Sequence, residues 1–406
     1  MAKQTLLGDF SARLNRFLQP ILQRSDKPRR KFVRQTLQGI LASGSLMVTE
    51  IARQIHLRST ALDYTAKRLC RQLKAPTWEI QTMQELHLES VSPLIRPDTI
   101  IPVDLTDLSK PRGRRFQYLA LVKDGDTGQI NPGYWCMEAY AVTGGDTTPL
   151  MLEPFSVEDP QTPGQNLVIL DALSRLKKAF GNHGIYTFDR GFDGGAILNH
   201  LLDKNLRFIL RLRGDRHLVL SENVHAAAVD ITDRLRQLKE RLRWRTSRRR
   251  FETHMIGYQA VRLPVRPEPL YLVVSIIPGK EGGVMMLLTN LEVNSFGDAE
   301  RVLLGYARRW KAEEGIRLLK QEVGLEGFRI RSLEAIKRLV FLAMLAIAFL
   351  VMLSLRALSF AERLVRLGKP LRRAKGAIYY RLTRGVRKLL TLAASNPSLI
   401  RSLQNG

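Results

Sequence analysis

Two aspartates close apolar runs where carboxylates could gather around a metal. Asp104 ends Ile-Ile-Pro-Val-Asp (100–104) and Asp189 ends Ile-Tyr-Thr-Phe-Asp (185–189). Both runs read as β-strands, and strand ends are where an α/β sheet presents side chains to a ligand crevice. Carboxylates brought close repel one another unless they share a proton or a cation. A hard divalent ion resolves that repulsion, and oxygen donors without Cys or His point to Mg²⁺ or Mn²⁺. Asp107 and Asp193 are rival ligands close by. Alone, either Asp104 or Asp189 would read as an ordinary turn-former or helix cap.

A third acid comes from a strongly helical stretch that begins near Asp298. Tyr306, Arg309, Glu313 and Lys320 stand at offsets 0, 3, 7 and 14. On one continuous helix they fall within an arc of roughly 60° along about 21 Å. Such a face suits a metal-bound phosphodiester: the acid holds metal while Arg and Lys bind flanking phosphates. The plain alternative is a solvated face with i,i+4 pairs such as Arg309–Glu313. Glu314 competes with Glu313 but points about 100° away.

These residues need elements to carry them. Residues 1–95 read as a helical domain. Within it, Ala42–Leu73 shows two periodic segments joined near His56–Ser59, with Ser59 or Thr60 as the cap of the second. Arg53, Lys67, Arg68 and Arg71 add positive charge there. The stretch fits a helix-turn-helix that enters a DNA groove, or an ordinary helical bundle. From 96 to 211, β-rich runs give way to alternating helix and strand, the pattern of a mixed α/β sheet. Residues 212–297 interrupt it with a basic helical piece (232–250) and further β-rich runs. Residues 298–355 return to helix, and 356–406 form a basic helical region.

Charge points to the partner. The chain has 64 Lys and Arg against 38 Asp and Glu, a net charge of +26. Self-repulsion of that size implies a polyanion, with double-stranded DNA the leading candidate. From Arg356 onward there are twelve Lys or Arg residues and one acid, Glu362. Cys70 and Cys136 are the only cysteines, which fits a reducing cytoplasm and leaves no zinc or disulfide framework. The N-terminus shows no secretory h-region. Leu339–Leu355 is an uncharged run of 17 residues, expected as a buried core helix and not a membrane span.

The run Tyr-Ala-Arg-Arg-Trp-Lys-Ala-Glu-Glu-Gly-Ile-Arg-Leu-Leu-Lys (306–320) matches Tyr-x2-Arg-x3-Glu-x6-Lys. Average composition gives roughly 0.003 chance matches in a chain this long. It resembles the YREK signature of bacterial insertion-sequence DDE transposases. Val-Asp-Leu-Thr-Asp-Leu-Ser-Lys (103–110) resembles that class's first-Asp motif, and Thr-Phe-Asp-Arg-Gly-Phe-Asp (187–193) its second.

The resemblance covers about 96–350. It implies an RNase H-like mixed sheet flanked by helices, with a β-rich insertion before the catalytic Glu helix. It implies Asp104, Asp189 and Glu313 as catalytic acids holding two Mg²⁺ (or Mn²⁺) ions. Tyr306, Arg309 and Lys320 would contact DNA around them, with Arg190, Lys67, Arg68 and Arg71 as further DNA-binding residues. The activity implied is metal-dependent cleavage of terminal inverted repeats and strand transfer into target DNA, by a homodimer on paired ends. A nucleoid-associated, cytoplasmic bacterial protein with no membrane contact is expected.

The class also places a Trp, stacked on a flipped base, just before the strand equivalent to Leu287–Asn290. Here Met285 and Met286 stand there. A thioether packs against a base but has no aromatic face. Trp244 and Trp310 are the alternatives, with a buried core role expected for each. The rival readings are a related nuclease without strand transfer, a non-catalytic DNA-binding regulator, and a Tyr306-based recombinase.

Overall fold

In the computed structural model, residues 2–55, 61–125, 127–221, 224–235, 241–245, 251–368 and 378–394 are described. The chain opens with α1 (Ala2–Leu18), α2 (Lys27–Ser43), α3 (Val48–Ile55), α4 (Leu62–Lys74) and α5 (Ile80–Val91). Asp26 caps α2 by accepting from Arg29 N, and Gly44 ends it in the left-handed region. Ser59 and Thr60, the expected caps of α4, lie outside the described residues. Its N-cap is Ala61, which makes no side-chain hydrogen bond.

The sheet follows: β1 (Ile100–Ser109), β2 (Ala120–Lys123), β3 (Ile130–Thr143) and β4 (Asp146–Phe155), then α6 (Gln165–Phe180), β5 (Ile185–Phe188), α7 (Gly195–Asp203) and β6 (Phe208–Arg211). β3 is antiparallel to β1 and β4, while β5 is parallel to β1 and to β6. The order β4-β3-β1-β5-β6, with helices between the parallel strands, is the expected RNase H-like core. One expectation needs correcting. β1 does not end at Asp104: its pairing with β3 continues to Ser109 opposite Gly133, so Asp104 lies within the strand.

Next come β7 (His217–Ser221), β8 (Val224–Ala227), α8 (Ala228–Leu235), β9 (Arg241–Arg245), β10 (Phe251–Val261), β11 (Leu270–Ile276) and β12 (Val284–Thr289). The basic helical piece expected over 232–250 is only in part helix. Its 241–245 stretch pairs with β10 as a strand, cross-strand pairing overriding the helix preference of Leu and Arg. β12 pairs with β6, so the insertion extends the sheet to ten strands among the described residues.

α9 (Phe296–Ala307), α10 (Trp310–Glu322), α11 (Leu333–Arg356), α12 (Leu358–Leu367) and α13 (Ile378–Ala394) complete the chain. The single helix expected from Asp298 is two. Arg308 N, Arg309 N, Lys311 N and Ala312 N each donate to the carbonyl three residues back. Those tighter bonds break the 3.6-residue phase at Arg308–Arg309.

α11 is the one helix, among the described residues, long and apolar enough to cross a membrane, and 89% of its most apolar window is buried inside the protein. Its cover comes from both chain ends. α1, α2 and α4 pack on one core with α11, α12 and α13. Phe10 and Phe17 both meet Phe349 at 5.5 Å between ring centroids. The buried Arg338 donates to Leu73 O at the end of α4.

Candidate active site

The parallel register of β1 and β5 assembles the first two acids. Pro102 lies opposite Thr187, so Asp104 and Asp189, each two residues further on, come side by side. Asp189 directly follows β5 and caps a 3-10 turn over Arg190–Phe192, accepting from Gly191 N at 2.8 Å. Glu313 approaches from the first turn of α10, with its side chain half-exposed.

Asp104 accepts from Leu105 N at 2.9 Å and from Arg309 Nη1 at 2.7 Å. Burial pushes its carboxyl pKa up to about 6; Arg309 opposes that rise, while Asp189 and Glu313 add to it. Arg309 Nη2 also stands 3.7 Å from Glu313 Oε1. Burial lowers the guanidinium pKa, but Asp104, Tyr306 and Asp189 outweigh it and leave the group firmly protonated. One internal cation therefore faces all three acids.

The rival acids have other partners. Asp107 accepts from Gly125 N at 3.1 Å and lies 3.7 Å from Lys320 Nζ. Asp193, with a side chain 1% exposed, pairs with Arg216 at 2.6 Å and accepts from Arg213 N. Glu314 pairs with Lys311 at 2.7 Å.

The expected DNA contacts divide. Arg190 is exposed immediately beside Asp189. Lys320 is turned toward Asp107 and toward Glu326, 3.0 Å away. Tyr306 is 2% exposed in a core with Ile209 and Leu303, so it does not share an open face with Glu313. The 3-10 break between α9 and α10 is the cause. On α4, Lys67 is exposed and pairs with Asp63 at 2.7 Å. Arg68 reaches Gln35 at 2.8 Å, and Arg71 lies over the Tyr64 ring at 5.8 Å. α4 packs on α2, α3 and α11, none of which carries a site acid.

Two features were missed. Glu138, buried on β3, lies directly opposite Asp104. Burial, then the charge of Asp104, holds its pKa well above the carboxylate range, and it accepts from Tyr140 OH at 3.0 Å. A lone acid in the apolar run Tyr-Trp-Cys-Met-Glu-Ala-Tyr-Ala-Val (134–142) was the available signal. The second is a cleft of about 850 Å³ bordered by Arg211, Lys280, Met285, Arg308, Trp310 and Lys311. Trp310 is 55% exposed, which corrects its expected core role: it opens α10, just past the break in the helix. The Trp244 side chain lies outside the described residues.

Among the described residues no three Asp, Glu, His or Cys side chains are placed to hold one metal ion as they stand. The donor chemistry nonetheless fits a hard divalent cation. The acids offer oxygen only, and partly buried Asp104 already requires a positive partner, here Arg309.

Residues 99–349 match the sequence model of a family described as the transposase DDE domain. Among solved structures, a chain from the cryo-EM structure of the piggyBac transposase synaptic complex with hairpin DNA is similar. The TM-score is 0.49 at 12% identity, covering 94% of this chain and 75% of that one. No curated protein matches the chain.

Proposed function

This chain belongs to the DDE-domain transposases, and on that premise we propose that Asp104, Asp189 and Glu313 cut the ends of its own mobile element and join them to target DNA. The observation that carries this is the parallel register of β1 and β5, which brings Asp104 and Asp189 side by side just past Pro102 and Thr187, with the Arg309 guanidinium between Asp104 and Glu313. A partly buried carboxylate already paired with an internal cation is a place where a divalent ion would exchange in.

The three acids would hold Mg²⁺ or Mn²⁺, two ions in all. When bound, the metal supplies the charge that activates a water or 3′-hydroxyl and offsets the charge on the departing oxygen. Arg309, released from Asp104, is free to take a phosphate of the DNA end. Arg190, exposed next to Asp189, would bind the backbone beside the scissile bond. The exposed cations of α4 and the overall +26 charge supply sequence-independent attraction for the duplex. The reading carries with it an insertion-sequence element of the YREK class, a homodimer on paired terminal repeats and a nucleoid-associated life in the bacterial cytoplasm.

Purified full-length protein with Mg²⁺ or Mn²⁺ should nick DNA bearing the element's terminal repeats. Asp104→Ala, Asp189→Ala or Glu313→Ala should each abolish nicking and leave repeat binding largely intact. Undiminished nicking by these variants would remove the assignment. Binding without turnover in the wild type would leave a regulator.

A further inference from the structure

Gly315 lies in the interior of α10, two residues past Glu313, where glycine is a poor helix former. Its surroundings give the reason. A Cβ added at Gly315 would meet the Tyr140 ring at 2.7 Å from Cε1, 3.1 Å from Cδ1 and 3.2 Å from Cζ. Real Cβ atoms do not approach that closely, and neither partner can easily yield. Tyr140 is 1% exposed on β3, and its hydroxyl is tied to Glu138 at 3.0 Å. Gly315 is buried against the ring, on a helix that packs on β1, β3 and β4. The ring thus meets α10 on one side, and its hydroxyl holds the residue facing Asp104 on the other.

We propose that the Tyr140–Gly315 contact seats α10 on the sheet at the depth that lets Glu313 share a cation with Asp104 and Asp189, making both positioning residues. The inference rests on the reading of those three acids as the metal-holding set. A methyl group at 315 lifts the first turn of α10 from β3, and Glu313 moves with it. Tyr140 touches neither metal nor DNA; it acts through Gly315.

Mn²⁺ titration of the full-length protein, read by the electron paramagnetic resonance of free Mn²⁺, tests this beside duplex-DNA affinity. Gly315→Ala is expected to weaken Mn²⁺ binding at least tenfold and to leave DNA affinity within twofold. Adding Tyr140→Leu, which removes the ring and makes room for the Cβ, is expected to restore Mn²⁺ binding to within threefold of wild type. A merely structural defect would move DNA binding together with Mn²⁺ binding. Wild-type Mn²⁺ affinity in Gly315→Ala overturns the seat, as does a double variant no better than the single. If Gly315→Ala does not fold, the double variant decides: affinity within threefold of wild type supports the seat, and a tenfold loss overturns it. Glu313→Gln separates the two layers. If it binds Mn²⁺ as well as wild type, the metal-holding set itself is wrong; if it loses binding while Gly315→Ala does not, only the seat is.

Discussion

Arg309 Nη1 donates to Asp104 Oδ2 at 2.7 Å while its other amino group stands 3.7 Å from Glu313 Oε1. A residue expected to meet DNA is thus the counter-ion of the acids, and a metal ion held by the proposed site would compete with it for them. The Asp104 carboxyl, pushed up by burial to about 6, must also lose its proton to bind a cation. Mn²⁺ affinity is therefore expected to fall about tenfold per pH unit below about 6, one proton competing with one ion. Arg309 holds that pKa down, so Arg309→Gln should move the acidic limb to higher pH. Above the limb, where Asp104 is ionised in both proteins, the variant should bind Mn²⁺ more tightly. A limb that stays in place would show that the ion pair does not govern the site.

Asp193 and Asp189 should separate cleanly by substitution. Asp193 is buried against Arg216, and Asp193→Ala strands that cation, at a cost of about 2–3 kcal/mol. Thermal melting should fall while the folded fraction still nicks DNA. Asp189→Asn should do the reverse, keeping the melting temperature and losing nicking. Equal loss of activity in both would restore Asp193 as a rival ligand.

Trp310 is exposed on the wall of the basic cleft, so Trp310→Ala should leave stability within about 0.5 kcal/mol. Stacking is worth about 1–3 kcal/mol per base, so affinity for ends with unpaired bases should drop roughly tenfold or more. Fully paired duplex should bind as before. Equal affinity of wild type and variant for both DNAs would show that no base rests on this ring.

His87 gives a pH dependence of stability away from the acids. It is fully buried with Nε2 at 3.0 Å from Pro149 O, and burial holds its pKa down to about 4. The unfolded chain takes up this proton near 6.5, so it binds more protons than the folded chain between about 6.5 and 4. Stability is fully present above about 6.5 and is lost as pH falls toward 4, by about 3 kcal/mol. Denaturant titrations across that range should show the decline, and His87→Gln should flatten its share of it.

The sequence made the sheet legible because its strands are apolar runs bounded by turn residues, and Asp104 and Asp189 could be picked from them. It could not show the break before α10. Arg308 and Arg309 both favour helix, so the parting of α9, which packs on β6, β10, β11 and β12, from α10, which packs on β1, β3 and β4, is not written in local propensity. Tyr306 and Trp310 were misjudged for that one reason, the first buried and the second exposed. Glu138 escaped because its role depends on cross-strand register with Asp104, which one strand's sequence does not contain. The split of 232–250 likewise depended on pairing, here of 241–245 with the strand that follows it, Phe251–Val261.

The shared cover of α11 has a consequence for the order of synthesis. Phe10 and Phe17 pack on Phe349, and α2 packs on α13, so α1 and α2 wait for helices made much later. Well over three hundred residues separate these partners in the sequence, and at about 5–20 residues per second the interval is on the order of tens of seconds. Through that time α2 can close on α3 and α4, but the faces of α1 and α2 that meet α11 and α13 have no partner. A nascent chain therefore carries its cationic helices long before it carries a finished core.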